Sequence, residues 1–306
     1  MSRHLTWSVT VAVAGLVLTG CSSTGSEADG AGNSSPASNW AVAAAPNPLA
    51  EQAATEYKAY AATQIDELVN VVKVFTDAVR AGDLQAARDA YAPSRVPWER
   101  IEPLAGLVEE IDGKVDSRVD DFAGPDDPEF TGWHRLEYLL FEQNTTDGGA
   151  EYADQLDADI AMLKQQFPSV EVKPVDVSTG AAELIEEVSQ GKITGEEDRY
   201  SKTDLWDFDG NMQGSRDAID KLKPALTQAD PELLSEIEAG MNSVFETMAP
   251  LRRGDGWVLF CTENDPYPSP RCPAVTVDPA TIDRLKAELA GLSENMSKVS
   301  GALKLQ

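Results

Sequence analysis

Residues 49–80 read LAEQAATEYKAYAATQIDELVNVVKVFTDAVR, and this stretch decides the fold. Its apolar side chains recur every three or four residues and therefore fall on one stripe of a helix, at Tyr57, Ala61, Ile65, Leu68, Val72, Phe75 and Val79. Gly82 followed by Asp83 is typical of a helix end and of the N-cap of a following helix. The sequence thus predicts a long amphipathic helix with one face in a core.

Helical signals continue along the rest of the chain. Pro93 and Pro97 are expected to break a second helical stretch that begins at Leu84. A later helix is expected to begin at Ala181, capped by Ser178 or Thr179. Other helices are predicted over about 131–140, about 149–167, from the Asp-Pro pair at 230–231 and from the Asp-Pro pair at 278–279 through residue 303.

Few segments have the alternating pattern of a strand. Residues 170–177 alternate but carry charge and proline, so they are expected to form an extended connector. We therefore predict an all-α fold of two packed four-helix-bundle units within residues 48–306, with sub-bundles at about 48–168 and 178–306.

The charge balance limits the possible partners. The 306 residues include 25 Lys plus Arg and 52 Asp plus Glu, which gives a formal net charge of −27. A nucleic-acid-binding protein needs a basic face, so this function is excluded. The charge favours cation binding or simply a well-solvated surface.

The N-terminus resembles that of an exported lipoprotein. Residues 5–18 are apolar but too short to span a bilayer, and they end in Leu-Thr-Gly-Cys21, which resembles a bacterial lipobox. We predict a signal peptide over 1–20, a lipid on Cys21 and a flexible tether over 21–47, with the folded domain outside the cytoplasm at the cell membrane. The alternative is an ordinary signal peptide with an incidental cysteine.

Two further cysteines remain after Cys21. Cys261 and Cys272 flank a proline-containing loop, and in an oxidising compartment they are expected to form a disulfide. A metal site is the weaker alternative, because a second pair of thiols is missing from the sequence.

Cleavage before Cys21 would leave His134 as the single histidine. His134 and Glu137 lie three residues apart, so on a helix they share one face and could bind the same cation. A serine or cysteine nucleophile that depends on histidine would need this same ring, and no nucleophile elbow is present in the sequence.

Several carboxylates could join this pair. Glu99 and Glu102 are another i,i+3 pair beside apolar residues, and Asp116 lies in an acidic connector before His134. Glu183 and Glu187 are further candidates. The alternative for each glutamate is a solvated helix face. Oxygen donors with one nitrogen indicate iron, manganese or calcium rather than zinc.

Five segments resemble a known family. They are Gly-Trp-His-Arg-Leu-Glu-Tyr-Leu-Leu at 132–140, Tyr-Ala-Pro-Ser-Arg-Val-Pro-Trp-Glu-Arg-Ile-Glu-Pro at 91–103, Asp-Asp-Phe at 120–122, the alanine–glutamate segment at 180–188 and the acidic segment at 195–208. The first is similar to the GxHRxEY motif of imelysin-like proteins. The whole set resembles the EfeO/EfeM group of iron-transport proteins.

The resemblance implies two packed helical bundles and a metal site. The site would be built around His134 and Glu137, with Glu99, Glu102 and Asp116 as matching candidates. Iron, ferrous or ferric, would be captured outside the membrane and passed on, other divalent cations being possible. The implied partners are a ferric-type iron permease and a haem peroxidase of an Efe-type uptake system.

Two departures from the family pattern affect this expectation. The stretch before residue 46 is too short for the N-terminal cupredoxin domain of longer EfeO proteins, so copper-dependent oxidation of iron within the chain is in doubt. Lys202 stands where relatives have histidine, and we do not expect it to bind metal.

Two other functions remain open from the sequence. The family name comes from a proposed metallopeptidase, and Glu137 or Glu102 could serve as the general base of such an enzyme. A module that binds a polyanion or a glycan is the third hypothesis, but the negative charge makes an acidic polymer an unsuitable ligand unless cations bridge the two. We predict a binding protein rather than an enzyme.

Overall fold

The computed structural model describes residues 47–306. The predicted signal peptide, the lipidated Cys21 and all of the predicted tether except Asn47 lie outside these residues. Within 47–306, the helices do not include one that is long and apolar enough to cross a membrane.

The regular secondary structure of residues 47–306 is almost entirely helical, as predicted. Its α-helices are α1 Pro48–Arg80, α2 Leu84–Ile101, α3 Glu109–Val115, α4 Gly132–Glu137, α5 Gly149–Gln166, α6 Pro174–Gln190, α7 Asp204–Ala229, α8 Pro231–Met248, α9 Pro279–Met296 and α10 Val299–Leu303. A π-helical turn over Tyr138–Glu142 continues α4, and a 3₁₀ segment over Glu102–Leu107 continues α2. Two short strands, β1 Arg252–Arg253 and β2 Gly256–Trp257, pair antiparallel.

Helix α1 forms as its sequence pattern predicts. The Asn47 side chain caps it by accepting a hydrogen bond from the Ala50 N–H at 3.3 Å. The predicted apolar stripe is buried along its length, from Tyr57 to Val79.

Helix α2 corrects the expected break at Pro93 and Pro97, because it runs through both prolines to Ile101. An internal proline costs about 3 kcal/mol through a lost hydrogen bond and a steric clash. The same segment buries Arg95 and Trp98 completely, and we attribute the intact helix to this tertiary packing.

Helix α6 begins at Pro174 rather than at Ala181, so the expected cap at Ser178 or Thr179 is wrong. Proline suits the first helical position because it has no N–H to leave unpaired there. The Asp176 carboxylate accepts the Lys173 N–H at 2.8 Å. Only residues 170–173 of the predicted connector are non-helical.

Helices α6, α7, α8 and α9 pack side by side. Helix α1 packs against α2 and α5, and α7 also packs against α1 and α2. One hydrophobic core therefore extends from Ala50 to Leu303. The division into sub-bundles at 48–168 and 178–306 stays a prediction.

Candidate metal site

A buried cluster of charged side chains lies where α2, α4, α7 and the segment at 195–203 meet. The Arg95 guanidinium is at its centre and is fully buried. It donates to Glu99 Oε1 at 2.6 Å and to Glu197 Oε1 at 2.9 Å. It also donates to Asp207 Oδ1 at 3.2 Å and to Asp116 Oδ1. One cation thus binds carboxylates from four separate parts of the chain.

A second buried cation, Lys192, lies beside the carboxylates of α2. Its Nζ donates to Glu99 Oε2 at 3.2 Å and to Glu102 Oε1 at 2.9 Å. Asn211 of α7 donates from Nδ2 to the same two carboxylates, at 2.8 and 2.6 Å. The predicted pair Glu99 and Glu102 therefore points inward rather than forming a solvated helix face.

His134 is also buried, with 2% of its surface exposed. Its Nε2 lies 3.5 Å from Asp116 Oδ1, 3.7 Å from Glu197 Oε1 and 3.4 Å from Arg95 Nη1. One ligand atom each from Asp116, His134 and Glu197 lies within 4.8 Å of the other two. An imidazole nitrogen and two carboxylates thus converge on one point.

Gly132 places His134 beside Asp116. It has a φ of +77°, and a Cβ there would lie 2.2 Å from the Val115 carbonyl oxygen. Any larger residue would push α4 away from the end of α3, which Asp116 directly follows. The glycine of the Gly-x-His segment therefore has a packing role in the site.

The opposite edge of the His134 ring lies near Glu137 and Asp198. His134 Nδ1 lies 3.2 Å from Glu137 Oε2, and Glu137 Oε1 accepts the N–H groups of Tyr200 and Ser201 at 2.9 and 2.7 Å. Asp198 accepts the Tyr91 hydroxyl at 2.8 Å. His134, Glu137 and Asp198 form a second group with ligand atoms within 4.8 Å, but its carboxylates already have donors.

Burial and hydrogen bonding shift the pKa values of the cluster in opposite directions. Burial and the Arg95 charge act to lower the pKa of His134. Hydrogen bonds to Asp116, Glu137 and Glu197 outweigh both and raise that pKa well above its usual value. The carboxylates around the ring therefore favour its protonated form in the metal-free protein.

The pKa values of the buried carboxylates depend on the balance between burial and the charges around each one. Burial alone would raise the pKa of Asp116 and of Glu197, but neighbouring cations, Arg95 for Asp116 and Lys192 for Glu197, hold both pKa values below the usual range. Burial raises the pKa of Glu102 well above its usual value, because the Lys192 charge only partly offsets burial and the nearby Glu99.

An open cleft of about 500 Å³ reaches this cluster from the surface. Among the described residues, its lining has one guanidinium, that of Arg118, and eight carboxylates: Glu102, Asp112, Asp116, Asp121, Asp176, Glu183, Glu187 and Glu197. The predicted candidates Glu183 and Glu187 lie on the α6 wall and are exposed. Glu102, Asp116 and Glu197 belong to both the cleft and the cluster.

A sequence model of the imelysin family, peptidase family M75, matches residues 53–267. The chain belongs to the imelysin family. It is 42% identical over 254 residues to proteins named iron uptake system component EfeO from Escherichia coli O157:H7, Escherichia coli K12 and Shigella flexneri. The match covers 83% of this chain and 64% of each relative, so the chain spans less than two thirds of their length.

The donor set of this imelysin cluster suits a hard or borderline cation. Carboxylate oxygens with one imidazole are typical of iron and manganese sites in helical proteins. Within residues 47–306, the buried oxygens Asp207 Oδ2 and Asn211 Oδ1 are without a hydrogen-bond partner. Arg95 Nη1 contacts both Asp116 Oδ1 and His134 Nε2, so a cation bound by these two atoms would have to displace it.

Sequence reasoning did not find half of this cluster. Arg95, Lys192, Glu197 and Asp207 were not among the predicted residues. A signal for Arg95 exists, because it precedes Glu99 by four residues on α2. Glu197 and Asp198 lie in the acidic segment that carries the family resemblance, but their burial is not visible in its sequence.

The predicted disulfide is present, with the Cα atoms of Cys261 and Cys272 5.4 Å apart. The loop that it closes contacts the segment at 199–202. Lys202 Nζ lies 2.7 Å from Asp265 Oδ2, and the Arg199 guanidinium lies 4.4 Å from the centre of the Tyr267 ring. Lys202 therefore pairs with the disulfide loop.

Proposed function

We propose that this protein is an extracytoplasmic iron-binding component of an Efe-type iron-uptake system. The observation that supports this most strongly is the convergence of His134 with Asp116 and Glu197 at the inner end of an acidic cleft. The relatives' name, iron uptake system component, agrees with such a role.

In this proposal the cleft collects cations and the cluster binds them. The cleft walls carry many more negative than positive groups, which raises the local concentration of cations. Iron would then bind His134 Nε2 together with Asp116 and Glu197. Glu99 and Glu102 instead pair with the buried cations Arg95 and Lys192.

The remaining parts of the proposal concern delivery. A lipid on Cys21 would hold the domain at the outer side of the membrane, and residues 21–47 would give it reach. A ferric-type permease would receive the iron, and a haem peroxidase would act in the same system. The proposal of these two partners rests on the resemblance to EfeO proteins.

The test is a metal titration of the full chain with Fe²⁺, Fe³⁺, Mn²⁺, Zn²⁺ and Ca²⁺. We expect His134→Ala to weaken iron binding by at least about 100-fold, more than a change outside the ligand shell usually causes. Glu186→Gln, on the exposed face of α6, is the matched control and should bind like the wild type. Equal iron affinity in His134→Ala and wild type would refute the proposal.

A metal-dependent peptidase is the second candidate, because the family model carries a peptidase name. A bound metal would polarise a peptide carbonyl, and Glu102 at the cleft could take a proton from water. Turnover of a peptide library by the metal-loaded protein, lost in His134→Ala, would support it. A polyanion ligand is disfavoured by the charge of the cleft.

A further inference from the structure

The carboxylate of Glu137 has donors on both oxygens. Oε1 accepts the backbone N–H groups of Tyr200 and Ser201 at 2.9 and 2.7 Å. Oε2 lies 3.2 Å from Nδ1 of His134. The side chain is fully buried. Since a carboxylate offers about four lone-pair sites, three of them are already used without a metal.

The two nitrogens of His134 face different groups. Nδ1 faces Glu137, whereas Nε2 faces Asp116 and Glu197. A carboxylate only accepts hydrogen bonds, so Glu137 keeps a proton on Nδ1. A ring that keeps its proton on Nδ1 binds metal through Nε2.

The same carboxylate also fixes a second part of the site. Tyr200 and Ser201 follow Glu197 and Asp198 in the chain, with only Arg199 between them. Their N–H groups bind a side chain that belongs to α4. Glu137 thus sets the distance between the helix that carries the imidazole and the segment that carries Glu197.

We propose that Glu137 is a positioning residue and not a metal ligand. It would hold Nε2 of His134 towards the cation and hold Glu197 opposite it. This inference rests on the proposed function, since it assigns a role within that metal site. It replaces the expectation that both members of the His-x-x-Glu pair coordinate the metal.

Glu137→Gln separates the two roles. The two backbone N–H groups require an acceptor, so the amide oxygen takes the place of Oε1 and the amide NH₂ faces Nδ1. Nδ1 must then accept a hydrogen bond, and the ring proton moves to Nε2, where it blocks the metal. If Glu137 were only a ligand, the same substitution would leave the imidazole free to bind.

The experiment is a titration of the full chain with Mn²⁺, followed by pulsed electron paramagnetic resonance to detect ¹⁴N coupling from a bound imidazole. We expect Glu137→Gln to weaken Mn²⁺ binding by about 10–100-fold, as is usual for a residue that orients a ligand. The Mn²⁺ that still binds should have lost its ¹⁴N coupling. Glu186→Gln is the control for the amide change and should retain both.

Full ¹⁴N coupling in folded Glu137→Gln would overturn the inference. If circular dichroism shows that Glu137→Gln is unfolded, Glu137→Asp replaces it. The shorter side chain reaches either the backbone groups or Nδ1 but not both, so it should weaken Mn²⁺ binding and reduce the ¹⁴N coupling. Unchanged values there would also overturn the inference. Absence of ¹⁴N coupling in the wild type would instead refute the proposed function.

Discussion

The closed cluster around Arg95 and the open acidic cleft beside it contain similar carboxylates in different surroundings. In the cluster, Glu99, Asp116 and Glu197 each contact a buried cation. On the cleft wall, Glu183 and Glu187 are exposed, and neither forms an ion pair among the described residues. A glutamate pair on a helix thus does not by itself indicate a buried site. The cations that face the pair distinguish the buried cluster from the exposed wall.

The largest effect should come from removing the cation of the cluster. Arg95→Met leaves several buried carboxylates without a counter-charge, which typically costs about 3–5 kcal/mol of unfolding free energy. Chemical denaturation of the metal-free protein measures this loss of unfolding free energy.

Arg284→Met is the control, because Arg284 pairs with Glu288 at the surface. Its loss should cost at most about 1 kcal/mol. An Arg95→Met protein as stable as this control would mean that the cluster does not depend on its cation.

The pH dependence of metal binding should distinguish the cluster from an exposed acidic site. The pKa of His134 is raised well above its usual value, so binding at Nε2 must displace a proton at neutral pH. Iron or manganese affinity should therefore rise with pH through the neutral range. Isothermal titration in buffers of different ionisation enthalpy would count the released protons. Affinity that is constant over this range would contradict the account.

A smaller effect is expected from Asp112 at the cleft wall. Burial, together with the nearby Asp116, raises its pKa to about 7. The unfolded value is about 3.9, so the folded chain holds this proton more tightly. Stability should consequently fall as the pH rises from about 4 to about 7 and then level off.

Asp112→Asn cannot ionise, so at about pH 8 it should be more stable than the metal-free wild type by about 1–2 kcal/mol, allowing for solvent screening. Thermal unfolding at several pH values measures the difference. An Asp112→Asn protein that loses stability with the same pH slope as wild type would show that another group titrates.

The smallest effect on stability should come from the two exposed glutamates of α6 in the cleft. Glu183→Gln combined with Glu187→Gln removes two exposed charges, and surface changes of this kind stay within about 0.5 kcal/mol. Metal association measured by stopped flow should slow by a few-fold at low salt, with a weaker dependence on ionic strength. Unchanged association rates would mean that the cleft does not guide the cation.

The sequence predicted the helices with strong periodicity and the histidine of the site. Helix α1 and the Asp-Pro helix starts were found because local pattern and capping agree with the final packing. The prolines of α2 were misread, because the burial of Arg95 and Trp98 that accompanies the unbroken helix comes from distant residues.

The cations of the site were missed for a related reason. Lysine and arginine are almost never fully buried unless they are paired, so a sequence with no visible partner gives no reason to place Arg95 and Lys192 in the core. Their partners come from segments up to 112 residues away, as with Arg95 and Asp207. The sequence close to Arg95 or Lys192 does not indicate contacts with residues so far away in the chain.

The most direct test is an anomalous diffraction measurement at the iron absorption edge on crystals of the iron-loaded protein. The account predicts a peak bonded to Nε2 of His134, with Asp116 and Glu197 as neighbours and Glu137 still hydrogen-bonded to Nδ1. An iron peak next to exposed carboxylates alone, with the His134 ring still in contact with Arg95, would contradict the account.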